Sequence, residues 1–432
     1  MQKVILLTAA LAVAPALPVS GADLAPVILT LAEAHATALR NHPQVEIAQL
    51  RALVSQEISK QNQAAYYPTV DGYFDAVAAG NRNTRLLAGG LNNPVIYDRV
   101  ADGFGAAQLI TDFGRTRNLI ASARFSAKAE AQNAAATKEE ILLNVDANYF
   151  NVLQTQAVLG VAKETARARQ LLVDQVTALE MNRLKSELDV SFAEVALEQS
   201  RLFLQRASGD ADGAQASLSS ALGYRQARRY ELADEPTRSD SVPDVHALIE
   251  FALETRPDLL RSRYERDAAG SFAAAERDRN YPTITAIGEI GNAISHDARL
   301  PDKYAAGGIT VDLPLFAGGS YLARQHEAEL KTEIAAQALR DLEDTVSRDV
   351  RLAWINFNTS LERLATTERL LKHANQAFAL AQARYKNGSS SIVELSDAQV
   401  NATSAQIAEA NARYDTLLQR AILDYQIGAL KP

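Results

Sequence analysis

The chain has 432 residues, with 44 Lys and Arg against 52 Asp and Glu, and the formal net charge of −8 argues against a nucleic-acid partner held by a basic face. Charged residues make up 22% and apolar ones 47%, a folded-protein balance, but aromatics are only 6% and Ala recurs throughout, which favours long helices over one bulky core. No Cys occurs, so disulfides, thiolate catalysis, Cys-ligated zinc and lipid attachment through an N-terminal Cys are excluded.

In chain order the first expected element is an export signal at residues 1–22. Lys3 precedes an apolar run from Val4 to Ala14, and the small residues Ser20-Gly21-Ala22 precede Asp23, where the mature chain is expected to begin. Pro15 and Pro18 leave that run short of the roughly 20 residues a spanning helix needs. Beyond Ala22 no long uncharged apolar run occurs, so an exported chain of this kind is either soluble or inserted by strands.

The remainder reads as two copies of one plan. Tyr67-Pro68-Thr69-Val70 falls on Tyr281-Pro282-Thr283-Ile284 at a shift of 214. At a shift of 205, Val145, Tyr149 and Asn151 meet Val350, Trp354 and Asn356, while Asn182 meets Asn387 and Gly223 meets Gly428. One long period indicates duplication of a whole unit, since a solenoid repeats every 20–50 residues or so. The expected units are residues 23–223 and 244–432, joined by a polar linker at 224–243 that carries Pro236 and Pro243.

Each unit is expected to run helix, strand pair, long helix, returning helix. The opening helices lie near Leu29 to Ala65 and Val245 to Arg279. Alternating segments after Pro68 and Pro282 begin β-hairpins at 68–113 and 282–316, with Ile309, Val311, Leu313 and Leu315 on one face of the last strand. About 13 residues per strand exceeds the 9–11 that cross a bilayer at a tilt. No proline interrupts the stretch between Pro94 and Pro236 or between Pro314 and Pro432, so long helices are permitted there. In the second stretch Val350, Phe357, Leu364, Leu371, Phe378 and Tyr385 recur every seven residues, each of the first five followed three later by Ala353, Ser360, Thr367, Ala374 and Ala381. That is a coiled-coil seam. A rod from Arg115 to Leu179 would be about 100 Å long. Returning helices follow near Leu188 to Leu222 and Ile392 to Ile427, so one rod can lie beside two shorter helices stacked end to end.

Four strands cannot close a barrel, and open strand edges are not tolerated in hydrocarbon, so a membrane reading requires several copies of the chain. The alternative is a soluble periplasmic coiled-coil structural or adaptor protein.

The duplicated order, the Tyr-Pro-Thr strand starts, the Leu315-Phe316-Ala317-Gly318-Gly319 junction and the segment from Tyr385-Lys386-Asn387-Gly388 to Ala398 together resemble the TolC-like outer-membrane efflux proteins. The resemblance implies an α+β membrane protein. A long coiled-coil α-helical barrel would be joined to four β-strands per chain that contribute to a shared 12-stranded transmembrane β-barrel in a homotrimer. It implies an outer-membrane location extending into the periplasm, passive export or type I secretion, and partners in a periplasmic adaptor and an inner-membrane transporter. It implies no enzyme activity, cofactor or metal.

By the same resemblance Glu394 and Asp397 match the acidic positions that ring a periplasmic gate, with Tyr385 and Asp189 as latch positions. Solvated surface is the ordinary reading of such an acidic pair, and core packing is the equal alternative for Tyr385. The tip residues Arg183, Leu184 and Lys185 and their counterparts Gly388, Ser389 and Ser390 match adaptor-docking points. Ser390 stands where a basic latch partner often occurs, and Arg183 replaces a tip glycine. His35 and His42 are seven apart but lie in no zinc frame and are expected to be solvated. Asp112-Phe113-Gly114 lacks the companion motifs of a kinase.

Overall fold

Prolines decide how each half begins. Helix α1 (Leu31–Asn41) is started by a capping box in which the Thr30 hydroxyl accepts from the Glu33 N–H and the Glu33 carboxylate accepts from the Thr30 N–H. Pro43 has no N–H to continue that helix and forces His42 into extended backbone, so α2 (Pro43–Ala64) starts afresh, with His42 Nδ1 accepting from the Gln44 N–H. The second half repeats the break at Arg256 before Pro257, between α5 (Val245–Thr255) and α6 (Pro257–Asp278). The single opening helices expected from the pattern are therefore each two helices. The structure is a computed structural model that describes residues 28–77, 99–236, 244–295 and 302–431. The expected export signal and nearly all of both strand-connecting loops lie outside them.

The rods are α3 (Arg115–Met181) and α7 (Ser320–Lys386), 67 residues each, and the returning helices α4 (Glu187–Ala221) and α8 (Ile392–Gln426) have 35 each. Rod α3 runs beside α2, α4, α6 and α8, and α7 beside α6 and α8. The end of α4 abuts the α1–α2 break, where a β-carbon on Gly223 would stand 2.8 Å from the Asn41 carbonyl; α8 abuts the α5–α6 break in the same way through Gly428. The seven-residue seam packs as its spacing requires: Val350, Ala353, Phe357, Ser360 and Leu364 are all buried. No described helix is long and apolar enough to cross a membrane.

Two features at the middle of the rods escape the sequence pattern. The short strands β1 (Ile28–Leu29) and β4 (Glu231–Leu232) pair in parallel, and the buried Tyr149 hydroxyl lies between the Leu29 and Ala233 carbonyls at 2.9 and 2.7 Å. Part of the expected linker is thus built into the core. His35, expected to be solvated, is instead buried on α1, its Nε2 2.5 Å from the buried Asp146 of α3.

At the second break the Arg256 guanidinium binds the Asp258 carboxylate at 2.6 Å and the Gln426 side chain at 2.7 Å. Glu139 lies nearby on α3, and burial raises its carboxyl to about 7, with Arg256 opposing and Asp258 adding to the shift. A carboxyl raised in this sense contributes stability below its unfolded value and loses it as pH climbs through about 7. Glu139→Gln is therefore expected to match the parent at pH 4 and to exceed it at pH 8. After allowance for solvent screening the gain is of order 1 kcal/mol, read from thermal midpoints in detergent.

The four long strands β2 (Thr69–Val77), β3 (Arg99–Thr111), β5 (Thr283–Ser295) and β6 (Lys303–Asp312) form one antiparallel sheet in the order β2-β3-β5-β6. The last strand stops at Asp312, short of the expected Phe316, so Leu313 and Leu315 leave the shared face. Asp312 stands opposite the first residue of β5, and beyond it lies Pro314, which has no N–H to give. One face of the sheet carries Val70, Phe74, Phe104, Ile290, Ile309 and Val311, all more than half exposed, with Gln108 towards one end and the row Asp102, Asn292 and Lys303 towards the other as polar exceptions. The other face carries Asp71, Tyr73, Asp75, Thr285, Glu289, Tyr304, Thr310 and Asp312, with Leu109 and Ile287 as apolar exceptions. Across its middle runs the row Tyr73, Gly103, Gly291, Tyr304, and the two tyrosine hydroxyls bond to each other over the glycines. A β-carbon on Gly103 would lie 2.5 Å from the Tyr73 hydroxyl and from the Ile290 carbonyl, which is why the row needs glycine at its centre.

Candidate gate and docking site at the helical tips

Both rods end in the same turn. The chain reverses through Arg183 in one half and Gly388 in the other, each in left-handed backbone, with Leu184 N–H bonded to the Leu179 carbonyl and Ser389 N–H to that of Arg384. Arg183 holds φ 59 where its counterpart is glycine. Serine then caps each returning helix: Ser186 Oγ accepts from Asp189 N–H, and Ser391 Oγ from Glu394 N–H.

These caps determine what the expected site residues can do. The Asp189 carboxylate accepts from both the backbone and the hydroxyl of Ser186, at 3.1 and 2.8 Å, and those bonds hold its carboxyl below the usual range. Glu394 is paired with Arg384 at 2.8 Å. Asp397, one turn on, is exposed and carries no ion pair among the described residues. The acidic pair is therefore uneven, with Asp397 the less compensated charge.

Tyr385 joins the two halves through its ring. It packs against a cluster of Leu172, Val176 and Ala193 from the first half and Ile392 and Leu395 from the second. Lys185 Nζ stands 4.7 Å from the ring centroid. The hydroxyl is buried without a hydrogen-bond partner among the described residues, and burial, followed by the charge of Asp189, raises its pKa. Tyr385→Phe is thus expected to leave tip stability unchanged or slightly raised, because no bond is lost. Tyr385→Ala removes the ring from the cluster and is expected to cost about 2–4 kcal/mol, measured as a lowered thermal midpoint.

Arg169 is the participant that the pattern did not flag. It is buried on α3, gives hydrogen bonds to the hydroxyl and carbonyl of Ser396 on α8, and is pulled below the usual arginine range by burial. The signal was available: the 205 shift places Arg169 at the position of Ala374, in the small-residue series of the seam. Two more polar bonds cross between α3 and α8, Thr165 to Thr403 and Gln154 to Asn411, between the apolar clusters that join these helices on either side. At the extreme tips Arg183, Leu184, Gly388 and Ser389 are exposed, while Lys185 and Ser390 are half-buried. No cluster of metal-binding side chains occurs among the described residues.

Rods of this length capped by a four-stranded sheet, polar on one face and apolar on the other, define the fold of outer-membrane channels. The solved outer membrane channel CmeC of Campylobacter jejuni matches 92% of this chain and 85% of its own with a TM-score of 0.80 at 17% identity. The model of the family described as "Outer membrane efflux protein" matches residues 35–224 and 248–429, and the chain belongs to that family. The outer membrane protein TolC of Escherichia coli is 24% identical over 306 residues, which span 68% of this chain and 62% of that relative, less than two thirds of its length. TolC of Vibrio cholerae is 25% identical over 421 residues, covering 93% of this chain and 91% of its own.

Proposed function

We propose that this chain is one third of an outer-membrane channel that gives solutes or polypeptides a passive exit from the cell. The observation that carries the reading is the pair of open edges: among the described residues β2 and β6 each pair on one side only. A sheet with an apolar outer face and open edges is stable in hydrocarbon only when further copies close it. Three copies give twelve strands, with the tyrosine and carboxylate face lining the pore. The rods continue below as a helical tunnel through the periplasm.

In this reading the tips are the gate. Three Asp397 carboxylates, with the three Glu394 partly offset by Arg384, constrict the tunnel and hold cations. Arg183, Leu184, Lys185, Gly388, Ser389 and Ser390 present the docking surface for a periplasmic adaptor, and an inner-membrane transporter supplies cargo and energy. The two halves of the chain act as equivalent staves, joined by the 224–243 segment.

Purified protein in detergent is expected to run as a heat-modifiable trimer and to give discrete conductance steps in planar lipid bilayers. A monomer that leaves bilayers electrically silent would instead favour the soluble coiled-coil protein.

A further inference from the structure

The internal duplication specifies the missing contact between copies. Within one chain the first half meets the second along β3–β5 and α3–α6. The shifts that relate the halves, 205 for β3 to β6 and α3 to α7, and 214 for β2 to β5 and α2 to α6, reproduce the helix bounds and the strand pairing, while β6 stops short of the end that β3 implies. Thus Thr69 stands opposite Ala107, and its counterpart Thr283 stands opposite Asp312. In a closed ring the second half of each copy meets the first half of the next, and equivalent surfaces make equivalent contacts.

We infer that β6 of one copy pairs antiparallel with β2 of the next in the register of β3–β5, placing Thr310 opposite Asp75 and carrying β6 onward as strand through Phe316. The inference rests on the ring proposed above. Its template is the observed pair Gly105 and Glu289, whose counterparts are Thr310 and Asp75. Three independent observations agree with it. Asp75 on the open edge has a buried carboxylate oxygen with no hydrogen-bond partner among the described residues, and a threonine hydroxyl opposite it supplies a donor. Leu313, Leu315 and Phe316 are exposed at 51%, 85% and 90%, although the equivalent stretch of β3 is strand to Thr111 because β5 lies alongside it. On the helices, Phe125 stacks on Tyr264 at the α3–α6 joint, with ring centroids 6.4 Å apart. Their counterparts Leu330 and Leu50 are both large, apolar and more than half exposed. Likewise Ala129 and Ala268 are buried, while their counterparts Ile334 and Val54 are exposed.

Pro314 fits this register. It takes the place of Leu109, where the β3–β5 ladder already breaks step between Leu109 and Thr111, and proline is tolerated at such an irregularity.

The chain has no native cysteine, so introduced pairs report cleanly. Residues directly opposite on antiparallel strands bring their β-carbons to about 4.5–5.5 Å, near disulfide reach, whereas a two-residue offset separates them by about 7–8 Å. Thr310→Cys with Asp75→Cys, oxidised in detergent, is expected to shift the monomer band of a denaturing gel to covalent dimer and trimer, reversed by reductant. Thr310→Cys with Val77→Cys, two residues out of step, is expected to stay monomeric on the same gel. Leu330→Cys with Leu50→Cys tests the helical joint without touching the sheet and is expected to cross-link as well. A native trimer that cross-links through Val77, or at neither expected pair, overturns the register while leaving the ring intact. A parent protein that is monomeric before any substitution removes the ring and the register together.

Discussion

Replacing His35 by leucine is expected to destabilise the protein by about 3–5 kcal/mol, the usual consequence of removing one partner of a buried ionisable pair. His35 and Asp146 are 5% and 2% exposed, and the Nε2 to Oδ1 distance is 2.5 Å. Leucine fills the space but leaves the carboxylate without water or donor. The surroundings add to the penalty. Asp424 lies on α8 beside this pair, its pKa raised by burial and, to a smaller extent, by the charge of Asp146, with Arg420 at 3.1 Å as its own partner. Substituting Asp146 by leucine as well removes the stranded charge and is expected to recover most of the loss. Thermal unfolding of the two single variants and the double variant in detergent measures the coupling. A His35→Leu loss below about 1 kcal/mol would mean that water reaches Asp146 and that the pair is not sealed.

Neutralising the acidic tip is expected to have the largest effect on conduction. At about 6 Å and an effective dielectric near 20, each pair of like charges in a ring repels by roughly 3 kcal/mol, and a bound divalent cation relieves that repulsion. Glu394→Gln with Asp397→Asn in a reconstituted channel is therefore expected to weaken divalent-cation block by about tenfold or more. Asp397→Asn alone should account for most of the change, because Arg384 already offsets Glu394 at 2.8 Å. Arg384→Gln should strengthen the block by releasing Glu394. Unchanged block in the double variant removes these residues from the gate and leaves them as solvated surface.

Most of what repeats in this molecule is legible in its sequence, the breaks at Pro43 and Pro257 excepted, and what depends on single long-range contacts is not. Rods, returning helices and strand pairs announce themselves through proline-free length, seven-residue spacing and alternation, all local signals. The broken opening helices were available from Pro43 and Pro257, but helical periodicity continues on both sides of each break, and it outweighed the residue that interrupts it. The β1–β4 pairing joins residues some two hundred positions apart through two residue pairs, which no local pattern can signal. The burial of His35 escapes local pattern for a related reason: its partner Asp146 is 111 positions away, and a histidine burial decided by tertiary contact has no local signature. At the tips the chemistry of the expected residues is set by the contacts each makes. The Tyr385 hydroxyl has no hydrogen-bond partner among the described residues, and the Asp189 carboxylate accepts from its own helix cap.

The α3–α8 seam shows what separating the two helical hairpins would entail. From Gln154 to Arg169 its cross-helix bonds are amide to amide, hydroxyl to hydroxyl and guanidinium to hydroxyl. Each of these can be exchanged for hydration at little net change in free energy, since a bond to water replaces the bond to protein. Below it the greasy cluster around Leu172, Val176, Ile392 and Leu395 is the patch that must be wetted if the staves part. If the tips of the proposed channel part, this cluster is the piece of the contact whose exposure costs most, because the polar bonds above it can be traded for hydration.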